Sequence, residues 1–292
     1  MTEETCLSKE TKELYQYLLD LNGYLVVKNV LSKQQLQHLN QVIDNVLEPI
    51  TEDYDAEVAA GKLGVYNNYR FGAAGGSHGT NPGFLQYDPM FCTLMDHPLT
   101  MEIMRMQLGD CFRLDRIFGM RMQRGYPSGR LHSDYGASEP FTRAEPGKYY
   151  PQPAFQALHG FAVAAFSLTD SGPDTGGLCC IPGSNNSHFK LPSCIREGEF
   201  SDVVICPEAP AGSVTFFSEA TTHGTQKWIA SHERRTLLYK YCASQLTWSR
   251  ARVTHPEGIE LTERQQRLLD EPAGAHWFFD SLFDDSAKSA TK

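Results

Sequence analysis

His132 and Asp134 stand one residue apart, as His132-Ser133-Asp134, and His223 lies far downstream with Arg234 eleven residues after it. Two imidazoles and one carboxylate on one face of a metal leave three positions open, the arrangement by which non-haem Fe(II) oxygenases seat a co-substrate and O2. Nitrogen and oxygen donors suit Fe(II), and open positions let an oxidant form beside a substrate. Residues i and i+2 of an extended chain project from the same face, so His132 and Asp134 can reach one ion. His223 must then fold back beside them. An H-x-D pair arises by chance in any chain with several His and Asp, so these residues alone leave a metal site and a chance trio both open.

Arg234 adds weight to the metal reading. A dicarboxylate that chelates iron through a keto-acid end leaves its far carboxylate in need of a fixed cation. The planar fork of arginine matches a carboxylate bidentately. The run Arg234-Arg235-Thr236-Leu237-Leu238-Tyr239 reads as a strand. Adjacent strand residues face opposite ways, so one arginine is expected inside and the other in solvent.

These residues need elements to position them. From Phe112 to Ala243 the chain reads as short strands with turn punctuation, at 113–123, 160–169, 176–181, 203–206, 213–217 and 234–242, and His223 opens a further one. Such a pattern suggests an all-β sandwich or barrel, and a two-sheet jelly roll is its economical closure. Before it, Leu14, Tyr17, Leu18 and Leu21 have helical spacing, Tyr24-Leu25-Val26-Val27 is β-prone, and Ser32 can cap a second helix carrying Leu36, Leu39, Val42, Ile43 and Leu47. Residues 49–90 are rich in Gly, Asn and Tyr and read as a long loop, either a binding lid or a tolerated insertion. Met90 to Leu108 reads as a helix interrupted at His97-Pro98, and Thr262 with Gln265 forms a capping box. The expected organisation is one domain over 1–292: a helical region at 1–111, a β core at 112–245 and a C-terminal extension at 246–292.

Composition narrows the function classes. A net charge of −9 disfavours a nucleic-acid partner, because phosphate binding wants a basic surface. No run of eighteen apolar residues suggests a membrane span, and the polar, acidic Met1-Thr2-Glu3-Glu4-Thr5 is unlike a signal peptide. The eight cysteines contain no C-x-x-C pair, which reads as reduced thiols in a cytoplasmic protein. His78, His159, His188 and His232 lack partner spacing, Arg116 and Arg121 read as a solvated strand face, and Trp228 with the Met120/Met122 pair reads as core.

The order of motifs resembles the phytanoyl-CoA dioxygenase family. H-x-D is followed by Gly176-Gly177-Leu178-Cys179-Cys180-Ile181-Pro182-Gly183-Ser184, then Thr222-His223-Gly224-Thr225, then Arg234-Arg235, and the opening Asn22-Gly23-Tyr24-Leu25-Val26-Val27 fits as well. The resemblance spans roughly residues 10–245. It implies a mainly β protein with a double-stranded β-helix (jelly roll, cupin-like) core and N-terminal helices packed on one sheet. It implies an Fe(II)- and 2-oxoglutarate-dependent dioxygenase that uses O2 and oxidises, most simply hydroxylates, a C–H bond of a small molecule, releasing succinate and CO2. His132, Asp134 and His223 match the iron ligands, Arg234 the 2-oxoglutarate-binding arginine, and Thr225 a small hydroxyl residue that assists it. Related halogenases put a small residue where Asp134 stands, so its carboxylate argues against halogenation. The turn after Ser184 departs from the family pattern, and the aromatic connection 135–157 lies where such enzymes vary with substrate.

Two other readings stay open at this level. A zinc or other divalent-metal hydrolase on a cupin-like barrel would use the same trio to activate water, which leaves Arg234 unexplained. A small-molecule binder that kept the fold without the chemistry would be marked by a broken triad, and all three residues are intact.

Overall fold

The computed structural model describes residues 7–50, 69–134, 160–187, 191–196 and 201–283. Ser8 caps helix α1 (Lys9–Asn22), whose end is set by Gly23 at φ 76°. A Cβ on Gly23 would lie 2.3 Å from Thr221 Oγ1, so this turn must be glycine both for its backbone and for its fit against the loop before His223. Strand β1 (Tyr24–Val27) follows. Ser32 and Gln35 then form a reciprocal capping box at the start of α2 (Lys33–Val46). The expected interruption at His97-Pro98 divides α3 (Pro89–Met95) from α4 (Pro98–Leu108), and the Thr262/Gln265 box opens α5 (Glu263–Leu268).

The remaining strands are β2 (Arg70–Ala74), β3 (Phe112–Met122), β4 (Phe161–Ser167), β5 (Gly177–Cys180), β6 (Val214–Ser218), β7 (His223–Gln226) and β8 (Arg234–Ala243). Six form a sheet in the order β1-β6-β4-β8-β3-β2, antiparallel throughout. β5 and β7 form a second, antiparallel pair. Isolated bridges, Cys180 to Ile205 and His132 to His223, widen that pair on both sides. The protein is therefore mainly antiparallel sheet, as its strand pattern predicted.

Alternation along β8 divides the two faces of the larger sheet. Leu237, Tyr239 and Tyr241 join Leu39 and Ile43 of α2, Phe91 and Met95 of α3 and Met104 of α4 in one core. The hydroxyls of Tyr239 and Tyr241 donate to the carbonyls of Phe91 (2.7 Å) and Met95 (2.6 Å). On the opposite face, Leu238 packs with Phe118, Val163, Ala165 and Phe217 against Leu178 of β5. The candidate residues Arg234 and Lys240 of β8 share the parity of Leu238 and so lie on this second face.

Two expectations differ from the structure. Residues 203–206 contribute one bridge, at Ile205, rather than a strand. The Gly-rich stretch contains an edge strand, β2, and a 3-10 turn at Gly83–Gln86. Its Arg-Phe-Gly-Ala-Ala sequence has little β propensity, and partner packing decides its conformation: Phe71 pairs with Gly119, where a Cβ would lie 2.1 Å from the Phe71 ring. Residues 51–68 of the expected loop, the connection 135–157, His159 and His188 lie outside the described residues.

Candidate metal and co-substrate site

β7 begins at His223, and the backbone of His132 pairs with it: His132 N–H donates to the His223 carbonyl at 2.9 Å, and His223 N–H donates back at 2.7 Å. This bridge sets the imidazoles side by side, with ring centroids 4.5 Å apart. His132 Nδ1–H donates to the Arg130 carbonyl (2.9 Å) and His223 Nδ1–H to the Thr221 carbonyl (2.8 Å). A carbonyl can only accept, so both rings carry their proton on Nδ1 and keep the Nε2 lone pair for a ligand, the orientation that metal-binding histidines need. Burial, helped by His132, pushes the His223 imidazole down to about 3, so it is neutral at physiological pH. Asp134 Oδ1 lies 3.6 Å from His132 Nε2.

The other carboxylate oxygen of Asp134 faces away from the histidines. Asp134 Oδ2 accepts from Lys240 Nζ (3.2 Å) and Arg116 Nη2 (3.4 Å). Burial raises this carboxyl, but Lys240, a hydrogen bond with Glu219 and the two imidazoles outweigh it and hold the group well below the usual carboxylate range. As they stand, among the described residues, no three His, Cys, Asp or Glu side chains are gathered into a group that could hold a metal ion. His132, Asp134 and His223 are neighbours of the right chemistry, with two imidazole lone pairs and an ionised carboxylate. That donor set fits a divalent ion such as Fe(II), with Asp134 shared between the ion and its cationic partners.

Arg234, at the start of β8, is buried. Its Nη1 donates to Met122 Sδ at 3.0 Å, on the residue it pairs with across β3. Its Nε has no hydrogen-bond partner, and among the described residues no carboxylate pairs with it. Burial pulls this guanidinium down to about 10, below its ordinary value. A Cβ on Gly177 would lie 3.0 Å from Arg234 Nε, so β5 leaves room there for the guanidinium. Gly177 pairs with Gln226 and Leu178 with Thr225, which sets Thr225 beside this region. Arg235 faces the helices instead and pairs with Glu233 (2.6 Å) and Asp44 of α2 (2.5 Å). The expected split is present, although the outward arginine meets α2 rather than open water.

A cavity of about 460 Å³ has Arg70, Met120, Tyr126, Arg130, His132 and Thr225 in its wall. His223 and Thr225 share a face of β7, two residues and roughly 7 Å apart. That suits a short dicarboxylate spanning from the histidines to the Thr225 end.

Other residues depart from their sequence reading. Arg116 and Arg121 are buried rather than solvated; Arg121 pairs with Glu233 at 2.9 Å. Met120 and Met122 face the cavity and Arg234, and are site residues as much as core. His78 is half-buried, 6.0 Å from the Phe118 ring. Trp228 is core, and His232 is tied to the Asp170 carbonyl at 3.0 Å. Sequence reasoning missed Lys240 and Glu219. Lys240 lies six residues past Arg234, hence on the same face, within the run Leu237-Leu238-Tyr239-Lys240-Tyr241-Cys242 where it is the one charged residue, and that was the available signal.

The sequence profile of the phytanoyl-CoA dioxygenase (PhyH) family matches residues 19–236. The chain belongs to that family. Its members are non-haem oxygenases whose cofactors are Fe(II) and 2-oxoglutarate, with O2 as oxidant. Among curated proteins, none matches the sequence. Solved structures share the fold of this family member. HygX from Streptomyces hygroscopicus, with nickel and 2-oxoglutarate bound, superposes with a TM-score of 0.60 at 18% identity, over 84% of this chain and 90% of HygX. The iron-bound form of HygX gives 0.59 at 17% identity over the same shares. SnoN, a non-haem, α-ketoglutarate-dependent epimerase from nogalamycin biosynthesis, gives 0.52 at 16% identity, over 86% of this chain and 88% of SnoN. Among the described residues no helix is long and apolar enough to cross a membrane.

Proposed function

We propose that this family member is an Fe(II)- and 2-oxoglutarate-dependent dioxygenase that hydroxylates a C–H bond of a small organic molecule. The overall change converts 2-oxoglutarate, O2 and R–H into succinate, CO2 and R–OH. One observation carries the reading: a buried arginine with an orphaned Nε and no carboxylate among the described residues lies within electrostatic reach of Tyr126, which lines a cavity together with His132. A guanidinium kept out of water without a counter-ion is costly, and a ligand carboxylate removes that cost. Fe(II), when bound, supplies the redox chemistry that couples decarboxylation of the co-substrate to activation of O2.

The chain's own groups divide the remaining work. His132 and His223 offer Nε2 lone pairs fixed by their Nδ1 hydrogen bonds, and Asp134 offers Oδ1. Arg234 and the hydroxyl of Thr225 hold the far carboxylate of 2-oxoglutarate, which fixes the orientation of its keto-acid end. The cavity wall around Met120 and Tyr126 restricts water. A zinc hydrolase would need the trio alone and leaves Arg234 without a role, and no feature of the site favours an inactive binder.

We further propose that the two sheets close as a double-stranded β-helix with α1 and α2 packed on the larger one, and that 1–292 acts as one domain. The seven described cysteines are free thiols, in keeping with a cytoplasmic location. The acidic balance is in keeping with a small-molecule substrate rather than nucleic acid.

The test is an anaerobic titration of metal-free protein with Fe(II) and then 2-oxoglutarate, followed by visible absorption. The expected result is a weak charge-transfer band that requires both additions and is absent from His132→Ala. No band, together with tight Zn(II) binding, would overturn the proposal in favour of the hydrolase.

A further inference from the structure

Behind Asp134 the protein has buried a second carboxylate that the proposed reaction does not use. Glu219 is fully buried, four residues before His223. Its Oε1 pairs with Lys240 Nζ, and its Oε2 accepts from Arg116 Nη2 at 3.0 Å. The same two cations hold Asp134 Oδ2. Two carboxyl groups and two cations thus form a closed ring; burial and the neighbouring Asp134 raise the Glu219 carboxyl, while Lys240 and Arg116 pull it back down.

Every member is fixed by packing. Arg116 lies 4.1 Å from the Trp248 ring, its Nε is 3.5 Å from Asp115 Oδ2, and a Cβ on Gly76 would lie 2.3 Å from its Cδ. Asp115 is itself held by Arg113 Nη1 at 3.0 Å, Thr247 Oγ1 at 3.0 Å and Trp248 N–H at 3.1 Å. Arg116 and Lys240 are partners in the β3–β8 register, so the ring is fixed to the central strands of the larger sheet.

Two buried cations beside a metal carboxylate pose a problem. Unopposed, Lys240 and Arg116 would hold Asp134 entirely and repel a divalent ion. We propose that Glu219 is a positioning residue that shares these two cations, so that Asp134 is clamped by Oδ2 alone and keeps Oδ1 free to join His132 and His223 on a metal. The proposal deepens the metal reading above and rests on it. Glu219 touches neither metal nor substrate and acts through Lys240, Arg116 and its direct contact with Asp134, whose N–H donates to the Glu219 carbonyl at 3.0 Å.

The shared cations give a test that separates this role from mere structural damage. The full-length chain, stripped of metal, is titrated with Co(II) alone, and the visible d–d absorption reports both affinity and ligand field. Glu219→Gln keeps the side-chain shape but leaves the two cations opposed by Asp134 only. It is expected to weaken Co(II) binding at least tenfold and to change the d–d spectrum. Adding Lys240→Met to Glu219→Gln restores the count of one cation to one carboxylate, and is expected to recover most of the affinity. A residue with only a fold-supporting role would give a double variant worse than either single one.

The outcomes are distinct. If wild-type protein shows no Co(II) site that His132→Ala removes, the metal reading falls and this inference with it. If wild type binds but Glu219→Gln binds within twofold of it, or if the double variant is weaker than Glu219→Gln, the metal reading stands and the role of Glu219 is overturned. Should Glu219→Gln fail to fold alone, the double variant decides, because affinity near that of wild type is expected and a tenfold loss overturns the proposal.

Discussion

At the scale of single residues the site is defined by what is left unsatisfied. His132 and His223 spend one nitrogen on a carbonyl and keep the other available, and Arg234 has an orphaned Nε in a buried setting. Arg234→Met therefore has opposite effects on the empty and the loaded protein. Breaking a buried pair of charged groups costs about 2–5 kcal/mol of binding. At about 1.4 kcal/mol per decade, affinity for 2-oxoglutarate should fall roughly 30-fold to several-thousand-fold. Exchanging an unpaired buried cation for an apolar side chain of similar length is neutral or stabilising. The ligand-free variant should therefore melt at or above the wild-type temperature, while the increment from Fe(II) plus 2-oxoglutarate disappears. Calorimetry with and without the ligands checks both arms, and an undiminished increment would remove Arg234 from the site.

At the scale of elements, β5 and β8 must approach closely for Arg234 to occupy its place, and Gly177 permits it. At φ 100° and with a Cβ that would lie 3.0 Å from Arg234 Nε, Gly177→Ala combines backbone strain with pressure on the guanidinium. Such a conformation costs about 1–3 kcal/mol. A melting point lowered by a few degrees and weaker 2-oxoglutarate binding are expected together. Gly160→Ala, whose Cβ would make an ordinary 3.5 Å contact with Leu246, should change neither. If both variants behave alike, the close approach of β5 has no bearing on the site. The same contacts explain what could be read beforehand. β3, β4, β6 and β8 carry β-branched and aromatic runs bounded by turn residues, and α2 and α5 carry capping boxes, so local chemistry announces them. β2 is a strand because Phe71 fits over Gly119, a fact about its partner. His132 and Asp134 could be proposed as candidates from the sequence because His-x-Asp has the period of a strand. Glu219 and Lys240 could not, because each stands alone in sequence and gains meaning only when β3, β8 and the segment before β7 meet.

At the scale of the whole molecule, the protein keeps reactive sulfur inside a fold proposed to generate an oxidant. All seven described cysteines are free, and six are buried. Burial pushes Cys92, Cys179, Cys180 and Cys242 up to about 12 and Cys206 up to about 11. Cys179 and Cys206 are near enough to Arg234 for its charge to pull them partly back down, which sets them close to the co-substrate. Only the thiolate is a strong nucleophile, so thiols held protonated this firmly are inert at neutral pH. The same shifts tie stability to pH. An unfolded cysteine ionises near pH 8.5, whereas these stay protonated in the fold, so between about pH 9 and 12 the folded state binds more protons than the unfolded one. Their contribution is fully present below pH 8.5 and is lost as pH rises through that window. Urea unfolding midpoints should therefore fall steadily above pH 9. Iodoacetamide at pH 8 should modify the partly exposed Cys194 first among the seven and the six buried ones only after urea is added. Rapid alkylation of Cys179 or Cys180 in the native protein, read by peptide mass mapping, would mean that the interface between β5 and β8 opens, and the enclosed setting argued for Arg234 would fail with it.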